Sequence, residues 1–486
     1  MIRSARALAA VALAAVAAVG CSRKEAAPHH PVVLIGVDGM AWEVAKPLLV
    51  QGKLPHLEAL VRRGAAGFLY TLKPALSPVV WTTVATGTTP DRHGIVNFLD
   101  PRSQQPFTAN ARRGRALWDV ATEYGLKSLC VGWWVSYPAA EVDGWMVAPY
   151  SAAGQNDKNW KGNLSADLPD QTWPRDLIDE IWPIAAGVSA PERFKEIDAR
   201  YLGDVDASKL DDLERRLDDQ TRWSVAADES FAAVATALLE RPDVEPDLTM
   251  VYLGGPDVAS HRFWRYAYPY LYDYDVPAGG VAELAGRIER FYVEADRMIG
   301  EIVAAAPDDA NVIVCSDHGF HAVSTRRPNP NGFSAHHLDG PPGVIVMAGP
   351  DVKAVGADEL LSDDRNVRPR NLGQVLEIAP VIHHLLGIPL ARDLKVPDGG
   401  ALMKNTVSDA LKAARPPVPA VDSHDDGFRA PSAPLGVDEE KVRDFEAWLE
   451  SLGYLGVGGD GYEATSPRDA PPPPEDGAKK SPGSGR

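Results

Sequence analysis

Three observations predict an α/β protein with a central, mostly parallel sheet flanked by helices and carrying a cap or insertion. Apolar β-branched runs alternate with helix-like stretches from residue 32 to 135, the order expected of strand–helix units. Further runs of the same kind recur at 247–253, 311–315 and 343–348, and read as buried strands. Two of the runs stop at a carboxylate followed closely by glycine, Val37-Asp38-Gly39 and Ser316-Asp317-His318-Gly319. In open α/β sheets, sites form outside the carboxyl ends of strands.

The elements follow in chain order. Residues 1–20 read as a signal peptide. Arg3 and Arg6 form a positive start, and Ala7 to Val19 is an apolar stretch too short to span a bilayer comfortably. Ala18-Val19-Gly20-Cys21 resembles the lipobox of bacterial lipoproteins, with Ala where Leu is usual. That resemblance makes Cys21 a lipidated N-terminus after cleavage. The alternatives are an ordinary cleaved signal or an uncleaved anchor. Ser22 after Cys21 favours the periplasmic side of the outer membrane, so the expected location is the bacterial cell envelope. Residues 21–30 are a polar tether.

The main α/β domain is expected over 31–403. Pro31 to Asp38 is the first strand. Residues 42–65 read as helix broken by the turn Gly52-Lys53-Leu54-Pro55. Ser77-Pro78 opens another helical run, since proline suits the first turn. A helix is expected over 115–124, a strand over 127–135, helices over 223–239, 282–305 and 376–386. Residues 150–222 show no clear period until a charged helical run at 207–220, and read as an insertion. Its Trp160, Trp173 and Trp182 are candidates for a wall of the substrate pocket, or for a packed cap. Residues 404–455 read as a Pro-rich linker followed by a helix over 438–452 that Gly453 closes. The Gly/Pro-rich tail, 456–486, cannot bury a core and reads as disordered.

At 486 residues, one large or two medium domains are expected. A formal net charge of −18 argues against a nucleic-acid footprint, which needs a basic patch. Global charge does not name a substrate. Cys130 and Cys315 sit in apolar strand-like runs and read as buried free thiols rather than a disulfide.

Asp38, Asp257, His261, Asp317, His318 and one of His336 or His337 are candidate metal ligands, with the hydroxyl of Ser77. Oxygen and imidazole ligands suit Zn²⁺. Asp257 and His261 stand at i,i+4, so one helical turn presents both on one face. Each alone has a bland reading: a loop carboxylate, an interfacial histidine, a turn capped by Asp. Together they number enough ligands for two ions.

These blocks resemble, in order, the alkaline phosphatase superfamily, and within it the type I phosphodiesterase and nucleotide pyrophosphatase branch. The similarity runs over 31–403. It is carried by Gly36-Val37-Asp38-Gly39, by Ser77-Pro78-Val79-Val80-Trp81 through His93-Gly94, and by Asp257 and His261 followed by Phe263-Trp264. It continues through Asp317-His318-Gly319, Ser334-Ala335-His336-His337 and the helix after Ile378.

The resemblance implies one Zn²⁺ on Asp257, His261 and His336, with His337 as the rival histidine. His336 is preferred because Gly340 follows it by four residues. It implies a second ion on Asp38, Asp317, His318 and the Ser77 oxygen, with Mn²⁺ as the alternative metal. Ser77 takes the nucleophile's place, where the family more often has Thr. Asn97 lies one residue off the family's phosphate-binding Asn. The expected activity is phosphodiester or phosphoanhydride hydrolysis through a covalent phospho-Ser77. Ser77 at a helix start is also expected to offer backbone N–H groups to the phosphoryl oxygens. A sulfatase needs a Cys/Ser-x-Pro-x-Arg context that Ser77-Pro78-Val79-Val80-Trp81 lacks. A monoesterase usually adds an Arg clamp, for which only Lys73 and Arg262 are candidates. The alternatives are a phosphate monoesterase, a phosphonate hydrolase, or a membrane-anchored binding protein with a vestigial site. The expected partners are a small-molecule or envelope phosphate ester and, through the lipid, the membrane. No oligomeric state follows from the sequence.

Overall fold

The computed structural model describes residues 24–102, 106–149, 169–364 and 366–430. The expectations for the signal peptide, Cys21, Trp160, the 438–452 helix and the tail lie outside these residues.

Nine strands form one sheet: β1 (Val32–Val37), β2 (Ala65–Tyr70), β3 (Ser128–Val131), β4 (Gly144–Val147), β5 (Thr172–Trp173), β6 (Leu248–Leu253), β7 (Asn311–Cys315), β10 (Gly343–Ala348) and β11 (Asn371–Gln374). Two short strands, β8 (His321–Ala322) and β9 (Ala335–His336), form a separate hairpin. The sheet order is β11-β2-β10-β7-β1-β6-β3-β4-β5. Within the sheet β10 and β5 run antiparallel to their neighbours, and the other pairings are parallel. This is the expected mostly parallel α/β sheet.

Both faces of β1 are buried. Val33, Ile35 and Val37 enter one core, and Val32 and Leu34 enter the other. Such strands read as unbroken apolar runs, because helices cover both faces. β1 lies between β7 and β6, with Gly36 opposite Cys315 and Val37 opposite Leu253. The carboxyl ends of three adjacent parallel strands are therefore level, and the chain carries Asp38, Asp257 and Asp317 just beyond them.

Four helices matter most to that rim: α1 (Ser77–Thr86), α2 (Arg222–Leu239), α3 (Gly255–Ala267) and α4 (Arg287–Ala305). Every residue of α1 is buried. Its threonines turn back into the helix, with Thr82 Oγ1 donating to Pro78 O at 2.6 Å and Thr86 Oγ1 to Thr82 O at 2.8 Å, so the burial leaves those hydroxyls satisfied. Gly87 ends α1 in the left-handed region at φ +65° and donates to Thr83 O, as helix C-termini commonly do.

Three differences from expectation have physical causes. The sequence 64–70 carries few β-branched residues and does not announce β2. A side chain at Gly64 would meet the Met347 carbonyl oxygen at 1.8 Å. The close approach of β10 that makes the strand also demands the small residues that hide it. The described part of the 150–222 stretch joins the body of the fold. Its helices Leu177–Val188 and Pro191–Leu202 put Leu177, Ile181, Ile197 and Tyr201 into the same core as β1. Trp173 lies on β5 at the sheet's far edge, with Nε1 donating to Val142 O. Finally, packing continues past 403. Two helices span Gly400–Thr406 and Asp409–Ala414, the buried His424 meets Pro389 O at 2.9 Å, and Asp425 accepts from Arg115 N at 2.7 Å. Side-chain hydrogen bonds hold a segment that Pro content alone marks as a linker.

Cys130 and Cys315 are buried and free. Burial pushes each thiol well above its ordinary value, so neither is a nucleophile. No described helix is long and apolar enough to cross a membrane.

Candidate metal and nucleophile site

The strand-end carboxylates meet one hydroxyl and three imidazoles. Ser77 is the first residue of α1, and its Oγ stands 3.5 Å from Asp38 Oδ1. That is a contact rather than a strong hydrogen bond. The other oxygen of Asp38 is committed: Oδ2 accepts from Trp81 Nε1 at 2.9 Å and from Tyr252 OH at 2.7 Å. Trp81 lies one turn after Ser77 on α1, and Tyr252 lies on β6. The two rings meet edge-on with centroids 5.6 Å apart. Together they turn Oδ1 toward Ser77.

Asp317 is held by backbone. Its Oδ1 accepts from Gly39 N at 3.2 Å and from His318 N at 3.1 Å. Gly39 sits at φ +67°, and a side chain there would reach Asp257 Cα at 2.8 Å. Glycine thus allows the end of β1 to approach the first turn of α3. Burial first, and then its neighbour Asp317, raise Asp38 to about 7; burial raises Asp317 to about 7 as well. Asp257 is driven well upward, by burial and then by Asp38 and Asp317. Crowded, buried carboxylates call for positive charge.

Asp257 and His261 both belong to α3, and Oδ1 lies 3.5 Å from Nε2. Asp228, on α2, positions that helix, accepting from Gly254 N and Gly255 N at 2.7 Å each. Burial raises Asp228 to about 7 against the pull of those N–H groups.

Backbone carbonyls orient two of the imidazoles. His261 Nδ1 donates to Ala335 O and His337 Nδ1 to Ala75 O, each at 2.9 Å. Burial holds both rings well below their ordinary values, so they are neutral. Both Nε2 atoms then carry lone pairs, yet they face each other at 3.2 Å. Two acceptors cannot bond to each other, and a cation between them resolves the conflict. His318 repeats the arrangement. Its Nε2 lies 3.1 Å from Asp317 Oδ2, 3.4 Å from Asp38 Oδ1 and 4.0 Å from Asp257 Oδ1. Burial lowers it to about 4. Among the described residues His318 Nε2, Asp317 Oδ2 and Asp257 Oδ1 find no hydrogen-bond partner. Orphaned lone pairs on buried Asp and His fit a divalent cation. Two ligand groups emerge, Asp257 with His261 and His337, and Asp38 with Asp257 and His318.

Sequence reasoning is corrected at one histidine. His337 joins Asp257 and His261, while His336 pairs with His321 across the β8–β9 hairpin. Adjacent residues on a strand face opposite ways, so only one of the two can enter the cluster. His318 and His337 stack with centroids 3.5 Å apart and planes within 3°. His93 stays outside the cluster. It is a buried brace whose Nε2 donates to Thr83 Oγ1 at 3.0 Å and whose Nδ1 accepts from Ile95 N at 3.2 Å. Asn97 Oδ1 accepts from Phe98 N at 2.8 Å. Its loop reaches the cluster through rings, Phe98 against Trp134 and Trp134 against Tyr252. Arg262 is buried in α3, with Nη1 donating to Val258 O, and Lys73 is exposed. The expected backbone cradle at Ser77 is smaller than foreseen. Pro78 has no N–H, and Val79 N and Val80 N both donate to Leu76 O at 2.9 Å. Trp81, Tyr252 and Asp228 were not foreseen as site residues, because their roles arise from contacts distant in sequence. Only the i,i+4 spacing of Ser77 and Trp81 could have hinted at one of them.

A level rim of carboxylates and neutral imidazoles around a hydroxyl, on a mostly parallel sheet, could hold divalent cations beside a nucleophile. The family model for type I phosphodiesterase / nucleotide pyrophosphatase matches residues 32–356. The chain belongs to that family and is a phosphoric ester hydrolase. The family is metal-dependent, and the Asp/His groups supply candidate ligands. Among solved structures, the chain is similar to a putative sulfatase from Bacteroides thetaiotaomicron, at 11% identity and TM-score 0.44 over 76% of this chain and 73% of that one. It is similar to phosphonoacetate hydrolase from Sinorhizobium meliloti, at 16% identity and TM-score 0.35 over 61% and 57%. It is also similar to murine ectonucleotide pyrophosphatase / phosphodiesterase 5, at 11% identity and TM-score 0.40 over 74% and 95%. No curated protein matches the chain.

Proposed function

We propose that the chain is a phosphodiesterase that works through a covalent phosphoserine at Ser77 and holds two Zn²⁺ ions. Asp257, His261 and His337 would hold one ion; Asp38, Asp317, His318 and the Ser77 oxygen would hold the other, with Asp257 Oδ1 near both sets. The observation that carries the reading is Ser77 Oγ at 3.5 Å from Asp38 Oδ1, beside the buried His318 Nε2, which finds no hydrogen-bond partner among the described residues. Zinc suits this Asp/His set, with Mn²⁺ as the alternative. When bound, the metal supplies the positive charge that favours the serine alkoxide and stabilises the attacking and leaving oxygens of an in-line displacement.

The chain's own residues do the rest. Trp81 and Tyr252 fix Asp38 so that Oδ1 faces the nucleophile. Ser77 Oγ forms the new bond to phosphorus as one ester oxygen departs with its bonding electrons and takes up, through solvent, the proton that Ser77 gives up; the second ester group stays on phosphorus. Water then attacks the phosphorus of that seryl ester, the P–Oγ bond breaks, a proton returns to Ser77 Oγ and the phosphate monoester leaves. The partial positive N-terminal end of α1 would favour the negative charge carried at Ser77.

The substrate is a small-molecule or envelope phosphodiester. Lipidation at Cys21 would tether the enzyme to the periplasmic side of the outer membrane, near such esters. A Cys21→Ala chain should then leave the membrane fraction; if it stays there unchanged, the tether is wrong. For activity, bis(p-nitrophenyl) phosphate should turn over faster than p-nitrophenyl phosphate. Chelation should stop turnover and Zn²⁺ restore it. Faster monoester turnover favours the monoesterase alternative. No turnover of the diester by zinc-loaded protein overturns the proposal.

A further inference from the structure

We propose a third divalent-cation site, separate from the catalytic cluster, formed by His321, His336 and Asp339 at the protein surface. Ligand atoms of these three side chains lie within 4.8 Å of one another. The two histidines are directly paired across the β8–β9 hairpin, with ring centroids 4.9 Å apart. Asp339 Oδ1 lies 3.3 Å from His321 Nδ1. Two imidazoles and one carboxylate suit a borderline ion such as Zn²⁺, with the remaining positions taken by water. His321 and Asp339 are 40% and 46% exposed, so an ion can enter from solvent.

The position gives the site a role. Each strand of the hairpin is two residues long, too short to be stable by its own ladder. The same hairpin delivers two groups to the catalytic cluster. His337 follows His336 directly, and Phe320 precedes His321. Phe320 packs edge-on against His261, His318 and His337 at centroid distances of 4.9, 5.6 and 5.1 Å. Because neighbouring strand residues face opposite sides, His336 presents a ligand outward while His337 presents one inward. An ion across His321 and His336 clamps the hairpin from outside and steadies His337 within.

The test is metal stoichiometry. The full chain, stripped by chelator, is dialysed to equilibrium against micromolar free Zn²⁺, and bound zinc is measured per chain. His321→Ala and Asp339→Asn should each bind one equivalent fewer than the native chain, with circular dichroism unchanged. His318→Ala should lose a different equivalent, so that its combination with His321→Ala loses both. Zinc beyond the catalytic equivalents should raise the melting temperature of the native chain and not of Asp339→Asn. Equal zinc content in the native chain and both folded surface variants overturns the proposal. The catalytic assignment survives that outcome, because His318→Ala tests it independently.

Discussion

The two sides of the catalytic cluster are held by different means. On the nucleophile side, Asp38 is oriented by two side chains, Trp81 from α1 and Tyr252 from β6. On the far side, His261 and His337 are oriented by backbone carbonyls of Ala335 and Ala75. A side-chain donor can be removed by substitution, whereas a carbonyl cannot. Asp38 should therefore be tunable through its two side-chain donors, whereas His261 and His337 should respond to loss of the ligands themselves or to changes in the backbone that carries them, such as the start of α3 held by Asp228.

The largest effect should come from removing a ligand on the nucleophile side. His318→Ala should lower diester turnover on the order of 10³-fold or more. It should release the ion beside Ser77 and leave one on Asp257, His261 and His337. Elemental analysis showing both ions kept, or both lost, contradicts the division.

Next in size, Tyr252→Phe removes one donor to Asp38 while keeping the ring. Losing an outer partner of a metal ligand typically costs about 10- to 100-fold in affinity or activity, and that loss should appear in zinc retention on the nucleophile side. Trp81→Phe should behave similarly, and the pair should be non-additive, since both donate to Oδ2. If either variant instead loosens the far-side ion, the two sides are not held separately.

The smallest effect should come from Asp228→Ala, which frees the start of α3. Two backbone hydrogen bonds to a buried carboxylate are lost, for about 1–3 kcal/mol of stability. Chemical denaturation reads that change. Loss of turnover should follow α3 and its Asp257–His261 pair, while Ser77 and Asp38 stay in place. Unchanged stability contradicts the positioning role.

How much of this is legible without the fold depends on how local each signal is. Asp38 and Asp317 end unbroken apolar strands, and Asp257 with His261 needs only one helical turn. These relations span five residues or fewer, so the sequence displays them directly. The choice between His336 and His337 depends on which face of β9 turns inward, and that is set by the pairing with His321 on β8. A glycine four residues on carries no information about strand parity. Tyr252, Trp81 and Asp228 act through contacts 214, 43 and 26–27 residues away in the chain. β2 was illegible because the approach of β10 requires Gly64, and small residues blank the propensity that marks a strand.

The proposed chemistry turns on Ser77 Oγ as the atom that receives the phosphoryl group. The direct measurement is acid quenching of zinc-loaded enzyme during turnover of bis(p-nitrophenyl) phosphate, followed by mass spectrometry of the peptide containing Ser77. A Ser77 peptide carrying a p-nitrophenylphosphoryl group in the native chain, absent from an inactive Ser77→Ala chain of similar zinc content, is the predicted result. Undiminished turnover by Ser77→Ala, or a phosphoryl adduct on another residue, contradicts it.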